Sequence, residues 1–268
     1  MGNIQEQLLD IMKCKNCNSA VIDHAYPPRG WAGNYSSEKV QYLLITLYPA
    51  SPKDKEEKYF KNHHDYCIKD LDFLIDDVAN FYLIDPNNEK NPNKRYHKNL
   101  NFAIKKLLRR TTNLKEDDIC SSFLDYVWVT DLFKCSLNNE VINSFLEEKN
   151  SQGKKKKSNE FGYAMKQLEN DLNTKYPLEH CIGHLYQELS YFNPKYIFAM
   201  SRLVEYELKR KQYNYLKEWR DKVFYLPHPS YPRHRDPEQK KYKEKFEEYL
   251  SDFIQNELKS IPIDVTKK

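Results

Sequence analysis

Four short apolar runs constrain this chain more than any other feature: Tyr42–Leu47, Tyr126–Thr130, Tyr196–Met200 and Val223–Leu226. Each is too short for a helix and reads as a strand buried on both faces. Each is separated from the next by a stretch long enough to hold a helix. Apolar residues recur at helical spacing over Ile68–Phe81, Leu100–Leu108, Cys181–Phe192, Leu203–Tyr215 and Pro237–Leu258. Asn193-Pro194 closes the third of these, because proline cannot continue a helix. Strands that alternate with helices pair in parallel through right-handed crossovers. The expectation is an α/β fold: a three-layer α/β/α sandwich around a central four-stranded, mainly parallel sheet. The chain is read as a single domain spanning 1–268. A lysine-, serine- and glycine-containing stretch without apolar residues, around 148–160, reads as a flexible insertion.

The 268 residues are 40% hydrophobic and 31% charged, which suits one large domain. No apolar run approaches 18 residues and no signal-peptide pattern opens the chain, so the expectation is a cytoplasmic protein with no membrane partner. Six cysteines are too few and too scattered for a secreted disulfide scaffold. The net charge of +4 says little by itself. Its distribution says more, since Lys154–Lys157 is a run of four lysines and Arg233 and Arg235 sit together near the last strand.

That last strand runs into Leu226-Pro227-His228-Pro229-Ser230-Tyr231-Pro232-Arg233-His234-Arg235. The prolines stop the strand and stiffen the loop. The carboxyl ends of strands in an open parallel sheet are where ligands bind. A histidine held there, followed by serine, tyrosine and two arginines, suits a polyanion. Tyr96, His97 and Asn99 form a second polar and aromatic cluster, to which the sequence assigns no role.

In this order, the segments resemble the motifs of the uracil-DNA glycosylase superfamily, and its iron–sulfur branches most. His228-Pro229-Ser230 matches the last motif of that family. Val129-Thr130-Asp131-Leu132-Phe133-Lys134-Cys135 is similar to a middle motif in which a strand ends in Asn and Lys-Cys follows. Cys181 opens a helix that leads to Pro194-Lys195 and the next strand, as in the family. Thr46-Leu47-Tyr48-Pro49-Ala50-Ser51-Pro52-Lys53-Asp54 stands at the first motif, with Phe60 near the spacing of its aromatic residue. The resemblance covers Cys14 to Arg235. It departs at Leu47 and Tyr48, where family members place the acid or amide that positions water.

The resemblance implies a DNA glycosylase that flips and excises a base, leaving an abasic site, with DNA as partner and the protein a monomer. His228 would stabilise the departing base, and Asp54 or Asp131 would orient water. Tyr48, Ala50, Phe60 and Asp131 would form the base pocket, with Phe60, or Tyr59 beside it, stacking on the flipped base. Ser230, Tyr231, Arg233 and Arg235 would contact DNA. Read as an ionised acceptor in place of Asn, Asp131 favours the amino group of cytosine over the carbonyl of uracil. A small Ala50 leaves room beside C5. The expected substrate is therefore a C5-modified cytosine, such as a glucosylated hydroxymethylcytosine of phage DNA. A conventional uracil-DNA glycosylase and a non-catalytic binder of modified bases are the alternatives. Cys14, Cys17, Cys135 and Cys181 fall where the iron–sulfur members hold a [4Fe–4S] cluster, and the same four thiolates would also suit structural zinc. Cys67 and Cys120 read as packing residues.

Overall fold

The structure is a computed structural model of the chain, and it describes residues 3–16, 26–46, 55–60, 65–134, 177–229, 246–259 and 261. All four expected strands form. They are β2 (Tyr42–Thr46), β3 (Val127–Asp131), β4 (Tyr196–Ala199) and β5 (Val223–Tyr225). A two-residue strand, β1 (Ala32–Gly33), precedes them. The sheet order is β1-β3-β2-β4-β5, with every pairing parallel except β1 with β3. The sheet thus has five strands rather than four, because a two-residue segment carries no periodicity to read. Burial within the sheet explains why the four main runs are mostly apolar. In β2 and β3 all five residues are buried.

Alternation along the strands divides the interior into two cores. Leu43, Ile45, Trp128, Ile197 and Val223 face one side and meet α1 (Ile4–Met12), α7 (Pro177–Phe192) and α8 (Arg202–Lys209). Tyr42, Leu44, Val127, Val129 and Phe198 face the other side and meet α5 (Lys94–Thr111) and α9 (Phe246–Glu257). Short helices α2 (Lys55–Phe60), α3 (Ile68–Asp72), α4 (Phe81–Ile84) and α6 (Glu116–Ser122) fill the connections.

Two expected helices differ in detail. The stretch Ile68–Phe81 is helical, but Phe73–Asn80 within it is a π-helix. The wider turn carries Asn80 to the sheet edge. There its side-chain Oδ1 accepts from Gly33 N at 2.8 Å and its Nδ2 donates to Gly33 O at 3.1 Å. The stretch Leu203–Tyr215 does not form one helix. α8 stops at Lys209, and a 3-10 segment, Asn214–Lys222, leads into β5. Buried Val204, Leu208 and Tyr213 lie within the stretch that the periodicity joined. Only the Phe246–Glu257 part of the long closing helix is described, and the lysine-rich segment around 148–160 lies outside the described residues. Among the described residues, no helix is long and apolar enough to cross a membrane.

The direction of α5 decides what meets the ends of the strands. Its last residue, Thr111, places its hydroxyl 3.0 Å from that of Tyr42, at the start of β2. The helix therefore runs antiparallel to the strands, and its first turn lies over their carboxyl ends. Asn91 secures that turn. Its Oδ1 accepts from Asn93 N at 3.0 Å and lies 2.8 Å from Nδ1 of His97, while its Nδ2 donates to Pro86 O at 3.0 Å. Burial holds the imidazole of His97 down at about 4, so it is neutral and serves the loop rather than an acid–base step.

Candidate functional site

The carboxyl ends of the parallel strands gather the polar groups of the site. Thr46 ends β2 and Asp131 ends β3, and the two are register partners. Counting alternation from Leu44 and Val129 turns both side chains toward the α5 face. Both are buried, each with 4% of its surface exposed. The Thr46 hydroxyl donates to Asp131 Oδ1. The other carboxylate oxygen, Oδ2, sits against Gly30, where any Cβ would collide with it. Gly30 also has φ +101, a conformation that disfavours other residues, so two independent constraints select glycine here.

Burial pushes the carboxyl group of Asp131 well above the usual carboxylate range, and nearby Glu188 adds to this. The positive charges of Lys134 and Arg29 oppose the shift without cancelling it. The closure of the strand end works against the charged form that the sequence reading assigned to Asp131. The sequence could not show how completely the strand end is closed off.

Tyr96, in the first turn of α5, meets this pair. Its hydroxyl bonds with Thr46, and its phenol is held above the usual range by burial and then by Asp131. Thr46 thus links Tyr96 to Asp131. The other side of Tyr96 faces the loop after β5, with its ring centroid 5.9 Å from that of His228. One turn further along α5, buried Asn99 donates from Nδ2 to Pro229 O at 2.6 Å. The backbone of that loop is launched in register, since Leu226 N donates to Ala199 O at 2.8 Å.

The structure therefore brings Asp131 and His228 to one edge, as expected, with Tyr96 between them. It places Phe60 elsewhere. That ring is buried, 1% exposed, on the α1 and α7 side, in edge-to-face contact with Tyr59 at 5.0 Å, Tyr66 at 5.8 Å and Phe73 at 6.1 Å. Engaged in the core, it is not presented to the site. Tyr59 beside it is stacked on Phe73 with centroids 3.9 Å apart. Tyr48, Ala50, Asp54, Ser230, Tyr231, Arg233 and Arg235 lie outside the described residues.

A second polar group lies on the opposite face of the sheet. Lys134 and Glu188 form a fully buried ion pair, Nζ to Oε1 at 2.6 Å. Trp128 Nε1 donates to Glu188 Oε2 at 2.7 Å, Trp31 Nε1 donates to Oε1 at 3.4 Å, and Lys134 Nζ donates to Thr130 Oγ1. Every strong acceptor here is used, which is the condition for tolerating buried charge. Arg29 N donates to Lys134 O at 2.7 Å, tying the Gly30 segment to the same exit from β3.

Cys181 lies beside this network. Its Sγ accepts from Lys134 N at 3.5 Å, and burial pushes its thiol up to about 11, against the pull of Lys134. Cys14, just after α1, is near enough to raise it further. The residue next to Cys135 thus touches one of the four expected ligand cysteines. Cys17 and Cys135 lie outside the described residues. Among the described residues, no group of three or more His, Cys, Asp or Glu is arranged to hold a metal. Cys14 and Cys181 are thus the two expected thiol ligands among the described residues. Cys67 and Cys120 are exposed rather than packed. The backbone N–H of Cys67 bonds with Asp70 Oδ2 at 2.6 Å, and Cys120 Sγ donates to Glu116 Oε1 at 3.4 Å.

No protein-family model matches the chain, and no curated protein matches it.

The residues that sequence reasoning missed are Arg29, Gly30 and Thr46. Pro27-Pro28-Arg29-Gly30 carries turn-forming residues, but nothing in it marks a floor for Asp131. Tyr96 and Asn99 stand three apart on one helix face, a spacing that marks a shared surface without saying what it meets.

Proposed function

We propose that the protein is a DNA glycosylase acting on a C5-modified cytosine. The observation that carries this reading is the convergence of Asp131, Thr46, Tyr96 and His228 at the carboxyl edge of the parallel sheet. A flipped base entering that edge meets a carboxylic acid on one side and an imidazole on the other. The neutral acid of Asp131 donates to N3 of cytosine and accepts from its N4 amino group. Thr46 donates to Oδ1 and so favours the proton on Oδ2. A fixed order of donor and acceptor selects one pyrimidine edge over the other. His228 stabilises negative charge on the departing base, a contribution that needs no strong general base on β2. DNA would be held by Ser230, Tyr231, Arg233 and Arg235 beyond the histidine.

Cys14, Cys17, Cys135 and Cys181 would hold a [4Fe–4S] cluster, or zinc in its place. Such a centre would join α1, the exit from β3 and α7, and would supply structural rigidity rather than a step of the reaction. The buried Cys181 thiol would ionise on binding the metal.

The test is excision from duplexes that differ in a single base, read as strand breaks at abasic sites after alkali. His228→Ala should slow excision of the modified cytosine by on the order of a hundredfold or more, the usual loss of one preorganised electrostatic contact. Efficient removal of uracil with modified cytosine left intact would overturn the assigned specificity. Binding of modified DNA with every base left intact would point to the non-catalytic alternative.

A further inference from the structure

Tyr96 touches both halves of the site through different parts of one side chain. Its hydroxyl bonds with Thr46, which donates to Asp131. Its ring lies against His228, whose loop is also held by Asn99 through Pro229 O at 2.6 Å. A tyrosine has few rotatable bonds, so the spacing between its two contacts is fixed. The first turn of α5 that carries it is itself held by Asn91.

We propose that Tyr96 is the positioning and specificity-determining residue of this site. Its hydroxyl sets the base-reading pair Asp131 and Thr46, and its ring sets His228. This rests on the base-recognition reading above and assigns separable duties to the two ends of the side chain. Burial, and then Asp131, hold the Tyr96 phenol above its usual range. Without that hydroxyl, the Thr46 hydroxyl loses a hydrogen-bond partner and is freer to rotate. The donor and acceptor order of the acid is then no longer imposed. Without the ring, His228 loses a ring contact on one side. Asn99 acts on the same loop from the next turn, so it shares the second duty and not the first.

The experiment uses the full chain as purified and duplexes carrying a single 5-hydroxymethylcytosine, glucosylated or not, or a single uracil. Equilibrium binding and single-turnover excision are measured for the wild type, Tyr96→Phe, Tyr96→Ala and Asn99→Ala. Tyr96→Phe should lower the preference for modified cytosine over uracil by about tenfold or more, through KM and Kd, with kcat on the preferred base within about threefold. Asn99→Ala should lower kcat by about tenfold while leaving the preference intact. Tyr96→Ala should lose both.

An unchanged preference in Tyr96→Phe overturns the proposal. So does a parallel fall of preference, kcat and thermal stability in all three variants, which is the signature of a merely structural tyrosine. If Tyr96→Ala fails to fold, Tyr96→Phe and Asn99→Ala still separate the two duties. A wild type that binds modified DNA preferentially but cuts nothing ends the enzyme reading. The ratio of Kd values in Tyr96→Phe then decides the role of the hydroxyl. A wild type with no preference among the bases overturns both.

Discussion

Asp131 is the residue on which sequence and structure differ most in consequence. A carboxylate at the end of a strand looks, on paper, like a charged group in water. Closed in by Thr46, Gly30 and Tyr96, it is instead held toward its neutral form. The linkage has a definite sign. A carboxyl group raised in the folded state binds its proton more tightly there than in the unfolded chain. Stability is therefore lost as the pH rises from the ordinary value of 3.8 through the raised one. Asp131→Asn removes the titration. Compared with that variant, the wild type should gain stability as the pH falls toward 3.8, by chemical denaturation at each pH. A difference that stays flat would mean that Asp131 titrates alike in both states. Glu188 has the opposite character, because its charge is matched by Lys134 and both indoles. Glu188→Gln leaves the buried ammonium of Lys134 without its counter-charge. It should cost about 3–5 kcal/mol, measured as a shift in denaturation midpoint at constant slope.

Among the elements, α5 and the π-helix do the positioning. The amphipathic pattern of Leu100, Ala103, Ile104, Leu107 and Leu108 seats α5 on the sheet, which is ordinary helix burial. The direction in which it lies across β2 is what brings Tyr96 and Asn99 to the strand ends. The π-helix has a local task. Its wider turn lets Asn80 pair with both backbone groups of Gly33, on a strand too short to hold itself. Asn80→Ala should cost about 1–3 kcal/mol, since it leaves backbone polar groups of β1 poorly satisfied. Amide exchange should accelerate at Gly33 and leave β2 and β4 protected. Equal acceleration across the sheet would show that β1 is coupled to the whole core rather than attached to it.

The whole molecule is a sheet with a core on each face, and each polar group has its own side. The Asp131 group faces α5, while the Lys134 and Glu188 pair with Cys181 faces α7. They are linked through the four residues from Asp131 to Lys134 and through Arg29, which bonds to Lys134 O next to Gly30. If the four cysteines hold a metal, purified protein should carry iron or zinc in proportion to chain. Cys181→Ser should then lose the metal and melt at lower temperature, by metal analysis and thermal scans. Metal-free wild type with the same melting temperature as the variant would remove the centre. Much of the architecture was legible in the chain itself. Four apolar runs separated by helical spacing are enough to specify a parallel sheet, because alternation and burial are local properties of the backbone. The ends of β3 and β5 could likewise be marked as site positions, since ligands collect at carboxyl edges. Gly30, Thr46 and Tyr96 were not legible as site residues, and neither was the placement of Phe60 in the core. Proximity across 35 to 101 residues of chain, as from Tyr96 to Asp131 and from Gly30 to Asp131, is set by how helices lie on the sheet. The protonation of Asp131 follows from that same closure, because desolvation depends on what surrounds a group in space and not on its neighbours in sequence.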